Sequence, residues 1–402
     1  MTNPLLQEWT TPFEIAPFDA ISDNDFAPAF EQALAAEMQE TLTVANNPEP
    51  ATFANTIEGL MQTGKDLDKV LSTFYSMAGA DSNEARETLM REFSPKLSAH
   101  GSEIIGNKDL FARINSLWES RDALGLNSEQ SRVLMLMHRN FVRSGAALEG
   151  EPKDRMKAIK SRLAVLGTGF SQNLLSDERE WHMQLSEVDM EGLPEFLIDA
   201  AKVAASEKKI GGAIITLSRS LIVPFLQFSP LRDLREIAYK AWAARGANGG
   251  DADNRDLARE MLELRQEMTN LLGYKNFASF KLETEMAKTP QNVRQLLNDV
   301  WEPAKAQADK DAGILTRMMH DEGINGDLEK WDWRYYAEKR RKAEHDLDEA
   351  ILKPFFQLDQ MIHAAFDCSN RLFGLEFKEV DVPLYHPDCR AWEVTRQGKH
   401  IA

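Results

Sequence analysis

From Phe26 the apolar residues fall four apart. Phe26, Phe30, Leu34, Met38 and Leu42 form one stripe, which predicts a buried helical face capped by Ser22, Asp23 or Asn24. Phe53, Ile57, Leu60, Leu67, Leu71 and Phe74 continue the period over a second stretch. Helical patterns then cover about 83–104, 107–124, 128–146 and 152–176, the last alternating basic and apolar positions over several turns. Short connections between such stretches predict antiparallel helices.

Near 179–218 the pattern changes period. The runs REWHMQLS and GAIITLS are short and rich in β-branched or aromatic residues, and predict two strands of a small antiparallel sheet. A helical stretch at about 194–206 separates them. LIVPFLQFSP stays open between strand and helical turn, because Pro224 cannot sit in a central strand. Helical periodicity resumes in LRDLREIAYKAWAARG and NRDLAREMLELRQEMTNLLG, with RGANGGDADN (245–254) as the clear loop between them. The stretch 292–323 reads as one long helix or as two broken at Pro303. A helix at about 357–373 leads into strand-like LEFKEVDVPLYHP and AWEV, and RQGKH carries the glycine of a tight turn before a strand expected from Ile401. No fixed repeat period marks a solenoid.

Composition narrows the class. At 402 residues the chain is long enough for two or three domains. Its 43% hydrophobic and 28% charged content is that of a globular protein. A net charge of −17 disfavours phosphate backbones and anionic lipid as partners, so neither nucleic acid nor membrane is expected. No apolar stretch approaches the roughly 18 residues of a membrane span. The N-terminus lacks a basic region followed by a continuous apolar run, so no signal peptide is expected. Cys368 and Cys389 stand alone, which predicts a reducing compartment, the cytoplasm.

Candidate chemistry is thin. GLMQTGKD spaces Gly59, Gly64 and Lys65 like a phosphate-binding loop, but Asp66 stands where a hydroxyl should meet magnesium. The residues also sit in a helical stripe that continues on both sides, with Gly64 on its buried face permitting close packing. A helix-borne zinc site needs two histidines at i and i+4, and none of the eight histidines are so spaced. His345 and Glu349 have that spacing, which on so charged a helix reads as a solvated ion pair. His386, among Tyr385, Asp388 and Arg390, reads as a histidine orienting a turn. Cys368 falls on an apolar helical face, where a buried, inert thiol is expected. No GxSxG is present. The residues by themselves supply no catalytic, cofactor-binding or metal-binding set.

Several blocks nonetheless resemble a known family. WDWRYYAEKRRKAEHDLDEAILKPFFQLDQMIHAAFDCSNRLFGLEFKEVDVPLYHPDCRAWEV is similar to the thimet oligopeptidase family of zinc metallopeptidases, nearest to its bacterial peptidyl-dipeptidase (dipeptidyl carboxypeptidase) branch. NPLLQEW, PFDAI, LREIAYKAW and LLGYKNFASFKLETEMAKTP extend the resemblance along the whole chain, with Cys389 a departure from the small aliphatic residue usual there. The resemblance implies a mainly α fold: a multi-helix lobe of a two-lobed, channel-forming peptidase, with a small antiparallel β element near 179–218. It implies zinc held by an HExxH helix and a further glutamate, and short unstructured peptides as substrates, from which C-terminal dipeptides are released. It divides the chain into a helical region 1–150, a helix and small sheet 151–235 that belong to the catalytic lobe, and a second helical region 236–402 that begins the catalytic region.

These 402 residues contain no HExxH. The expectation is therefore an N-terminal portion that ends before that motif, inactive alone and without zinc. Two rival readings are a non-catalytic peptide-binding scaffold and one half of a split peptidase, paired with a missing catalytic half or self-associated. A sheet parted from its partner lobe is expected to leave apolar residues wet, each forgoing about 1.5–3 kcal/mol, so that 150–235 is marginal, repacked or covered by another copy.

Overall fold

The structure is a computed structural model that describes residues 3–345 and 355–402. It is mainly α-helical with two small antiparallel sheets, as the periodicities predict. The chain forms two compact units: one of residues 1–153 and 356–402, the other of residues 154–355.

In the first unit α1 (Asp23–Ala45) starts at Ser22, whose backbone N–H donates to the Asp25 carboxylate at 2.8 Å. The predicted stripe is buried at Phe26 and Phe30, while Leu34, Met38 and Leu42 are only half-buried and Ala29, Ala33, Thr41 and Ala45 complete the buried face. Phe26 and Phe30 of α1 meet Phe74 edge-on at 5.1 and 5.2 Å, and Phe30 stacks on Phe93 at 4.7 Å. After a π-helical turn (Phe53–Glu58) come α2 (Gly59–Met61), α3 (Lys65–Ala80), α4 (Glu84–Gly106), α5 (Lys108–Glu119) and α6 (Ser128–Arg143). A second core of Ile57, Leu110, Ile114, Leu117, Leu134 and Phe141 joins α5, α6 and the π-turn.

The second stripe is not one helix. The chain breaks between α2 and α3, where Gly64 takes a left-handed conformation (φ 77°). Only glycine adopts this without steric cost. Gly64 is buried as expected, but as a break, and a Cβ there would come within 2.6 Å of Glu37 Oε1. Gly64→Ala is therefore expected to lose about 1–3 kcal/mol through backbone strain and the displaced carboxylate. Urea denaturation checks this, and an unchanged midpoint contradicts it.

The second unit holds most of α7 (Gly150–Glu180) and then β1 (His182–Leu185), α8 (Glu195–Glu207) and β2 (Ala213–Thr216). The strands are antiparallel, with His182 opposite Thr216 and Leu185 opposite Ala213. Pro224 lies inside a helix, α9 (Arg219–Phe228), which settles the open segment as helical. Then follow α10 (Arg232–Ala243), α11 (Arg255–Leu271), α12 (Phe277–Leu282), α13 (Pro290–Asp321) and α14 (Trp333–His345). α13 runs unbroken through Pro303. The basic positions of α7 meet acids of α11: Arg155 pairs with Glu267 and Arg162 with Glu260, each at 2.6 Å. The loop 245–254 is tied to α7 by Asn254, whose Nδ2 donates to the Phe170 carbonyl at 3.0 Å.

The small sheet is not left wet. Ala213, Ile214 and Ile215 are fully buried, and a core of Leu185, Leu197, Ala201, Ile215, Phe225 and Leu226 packs it against α8, α9 and α10. The expectation of wet apolar residues is corrected for the sheet itself, whereas Val165, Leu175 and Val188 elsewhere in 150–235 are exposed. The helices adjacent in sequence supply the cover, although Phe196 and Val203 on the outer side of α8 stay more than half exposed.

Residues 358–402 form a small module of the first unit: α15 (Leu358–Phe373), β3 (Leu375–Val380), β4 (Ala391–Arg396) and β5 (Lys399–His400). Phe366 of α15 stacks on Phe377 of β3 at 4.1 Å. β5 begins at Lys399, two residues before the expected Ile401, because Gln397 (φ 52°) and Gly398 (φ 72°) alone make the turn. Cys368 is exposed, which corrects the expectation of a buried thiol. No residue of α15 is buried: Phe366 turns to the sheet, while Leu358, Met361, Leu372 and Phe373 lie exposed.

Candidate functional site

The phosphate-loop spacing at Gly59–Asp66 has no phosphate site behind it. A helical turn precedes it where a strand is required. The Gly64 N–H donates to Glu40 Oε2 at 2.8 Å, and Glu37 fills the space over Gly64. Two carboxylates stand where an anion would have to enter.

The histidines are used one at a time. His100 Nε2 lies 2.7 Å from Glu37 Oε2. His138 stacks on Trp118 at 4.8 Å and bonds to Asn115 Oδ1 at 3.1 Å; its burial, helped by the cation of Arg121, pushes its imidazole down from the ordinary value. His320 meets the Gly326 carbonyl at 3.2 Å. His386 Nδ1 accepts the Asp388 N–H at 3.1 Å, the turn-orienting role the sequence suggests. Its neighbours face elsewhere: Arg390 pairs with Asp359 at 2.9 Å and Tyr385 packs edge-on against Phe18. The Cys389 thiol beside Tyr385 pushes that phenol up. The His345–Glu349 pair lies partly outside the described residues, since Glu349 is beyond them. Among the described residues no three of His, Cys, Asp or Glu converge as metal donors, so the side chains described do not fit a catalytic zinc.

A cavity of about 230 Å³ opens between α13 and α14, lined by Asp311, Leu315, Trp333, Arg340, Glu344 and His345 among others. Arg340 pairs there with both Asp311 and Glu344 at 2.7 Å, so its charge is already met. The arrangement ties α13 to α14 through the Arg340–Asp311 pair.

The densest polar network is structural, and spacing alone could not have revealed it. Asp332 and Arg235 are fully buried and bond at 2.8 Å, 97 positions apart. Arg232 adds a second cation at 2.8 Å, and the N–H of Glu329 donates to the same carboxylate at 3.1 Å. Arg235 also donates to the carbonyls of Ser229 and Trp331, and its guanidinium lies 4.2 Å over the Tyr335 ring. Tyr336 is buried beside Glu322, and its phenol is pushed up to about 12, by burial first and by that carboxylate second. The network joins WDWRYY to LREIAYKAW, two of the blocks that carry the family resemblance.

Comparison with known proteins bears on those blocks. Residues 225–402 match peptidase family M3. The chain is 32% identical over 396 residues to dipeptidyl carboxypeptidase of Escherichia coli (strain K12), covering 98% of this chain and 58% of that protein. It is 33% identical to dipeptidyl carboxypeptidase of Salmonella typhimurium, over 98% and 58%. It is 30% identical to oligopeptidase A of Escherichia coli (strain K12), over the whole chain and 59% of that protein. The chain belongs to the thimet oligopeptidase family of peptidases. It spans under two thirds of the length of these relatives, and its alignment extends to both their dipeptidyl carboxypeptidase and their oligopeptidase A branches. Among the described residues no helix is long and apolar enough to cross a membrane.

Proposed function

We propose that these 402 residues are the N-terminal portion of a zinc-dependent peptidyl-dipeptidase that releases C-terminal dipeptides from short, unstructured peptides. In that reading the helical scaffold described here is one part of the peptidase, and zinc, its ligands and the general base lie outside these residues. The observation that supports it is a pairing: alignment over 98% of the chain with a dipeptidyl carboxypeptidase, and no HExxH anywhere within the chain. The assignment of 151–235 to the catalytic lobe and of 236–402 to the start of the catalytic region is part of the same proposal. The cytoplasmic placement rests on two unpaired thiols.

The chemistry of the family needs a metal to polarise water and a carboxylate to take its proton. The described side chains here bind and orient one another instead. The purified 402-residue chain is accordingly expected to retain less than stoichiometric zinc and to leave blocked oligopeptides uncut. Metal analysis and a cleavage assay check both. Stoichiometric zinc with chelator-sensitive turnover overturns the proposal. Peptide affinity by calorimetry without turnover favours the scaffold reading, and turnover that appears only on adding a chain with HExxH favours the split peptidase.

A further inference from the structure

Half of the longest helix in the second unit stands without a neighbour. α13 has 32 residues and α14 has 13, so at a rise of about 1.5 Å per residue the shorter helix covers less than half of the longer. The covered part is C-terminal, where Leu315 and Met319 are buried with Tyr335 and Tyr336. From Arg294 to Lys310 every residue of α13 is exposed. Local means hold the helix there. Thr289 caps it, its Oγ1 accepting the Asn292 N–H at 3.2 Å, and Pro290 presets the first turn. One turn further on, the Gln295 amide donates to Asp299 at 2.8 Å.

The bare part is nonetheless apolar on one side. Val293, Leu297, Val300 and Ala304 follow at intervals of four, three and four, the seam of a coiled coil, with Leu296 and Trp301 on its flanks. Leu296, Leu297, Val300 and Trp301 are 59–66% exposed. These four side chains offer on the order of 500 Å² of apolar surface, as much as the largest patches on monomers, which are often interaction sites.

Charge narrows what the seam accepts. The chain carries a net −17, yet no acid lies on the seam or its flanks between Val293 and Ala304. Asp299 and Glu302 fall at outward positions of the same heptads. The one charge beside the seam is the cation Arg294, which has no ion pair among the described residues. This set is complementary to itself. Two copies turned antiparallel about a two-fold axis between Asn298 and Asp299 set Val293 against Ala304 and Leu297 against Val300, a larger side chain facing a smaller one in each layer. The same turn brings Arg294 of each copy beside the Trp301 ring of the other, a cation over an indole face.

We propose that α13 pairs with α13 of a second copy along this seam, so that the chain forms a weak antiparallel dimer. The contact uses the same patch on both copies and therefore closes at two. The dimer is a property of residues 290–310 and does not depend on a catalytic half. Its strength follows from its size, since the patch falls short of the roughly 800 Å² per partner of a standard interface.

Sedimentation equilibrium of the purified chain tests this, and a monomer–dimer equilibrium in the micromolar range is expected. Val300→Glu sets an acid in the seam at an exposed position and is expected to weaken association at least about tenfold, as is Trp301→Ala, which removes the ring. Arg294→Ala weakens it too, and adds little on top of Trp301→Ala, because the two groups act as one pair. Should Val300→Glu lose helical circular dichroism, Trp301→Ala decides alone. A chain monomeric up to about 200 µM, where micromolar association would be plain, overturns the proposal and leaves the seam to another occupant, such as the catalytic half. A dimer unchanged by both Val300→Glu and Trp301→Ala overturns it by placing the contact on another face, such as that of α15. Losses at Arg294 and Trp301 that simply add overturn the antiparallel pairing and the proposal with it.

Discussion

Asp332→Ala is expected to destabilise the second unit by about 3–5 kcal/mol, a large share of a domain's total of about 5–15 kcal/mol. The loss follows from what the substitution leaves behind. Arg235 has no exposure, and its remaining partners are carbonyl oxygens and the face of the Tyr335 ring, none of which carries the negative charge that neutralises a cation. Arg232 loses the same counter-ion. Asp332→Asn keeps the volume and some of the hydrogen bonding, so its loss is expected to be smaller. The pH dependence has a definite sign. Burial pushes the Asp332 carboxyl up, but hydrogen bonds from Arg232 and Arg235 outweigh it and hold the carboxyl below its ordinary value. A group lowered in the folded state contributes stability above its unfolded pKa of about 3.9, and that contribution fades as pH falls through the folded value. The gap between parent and Asp332→Asn should therefore be full at pH 7 and narrow below about pH 4. Urea unfolding at several pH values checks this, and an Asp332→Ala variant as stable as the parent would show that the carbonyls alone suffice.

The legibility of this fold follows the range of the forces involved. Period alone found α1, because Phe26 and Phe30 need only a partner surface, whichever helix supplies it. It failed at Gly64, where apolar spacing persists on both sides of a break that the backbone of one residue decides. It failed again at Cys368, since α15 has an apolar face as the period says but no residue of it is buried, and period does not say how much cover a face receives. Pro224 and Pro303 both sit inside helices, so proline was a weaker boundary signal than its missing N–H suggests.

The site was legible in a different way. Spacing set aside the loop at Gly59–Lys65 for want of a strand and a hydroxyl, and the geometry adds the reason that Glu37 and Glu40 already occupy the space. The blocks that disclose the family, WDWRYY and LREIAYKAW, meet at Asp332 and Arg235, a buried contact between residues 97 apart. Their recognisable character is that of framework: large rings and a buried ion pair tolerate few replacements. Composition and period could not pair them, because neither carries information about contacts between distant segments.

The same reasoning turns the small sheet into the sharpest test of how self-sufficient this chain is. Phe225 on α9 is fully buried in the core that covers β1 and β2, whereas Phe196 on α8 is 57% exposed and meets Phe228 edge-on at 6.0 Å. If α8, α9 and α10 are the cover the sheet needs, Phe225→Ala should cost about 3–5 kcal/mol, while Phe196→Ala should change stability by only about 0.5 kcal/mol. Hydrogen exchange at those β2 amides that face β1 in this two-stranded sheet gives the local reading: protected in the parent and in Phe196→Ala, fast in Phe225→Ala. Were the sheet dependent on a surface outside these residues, its amides would exchange quickly in the parent already, and Phe225→Ala would add little. Strong protection in the parent, abolished by loss of one ring, would establish that residues 181–243 cover their own sheet without any further lobe.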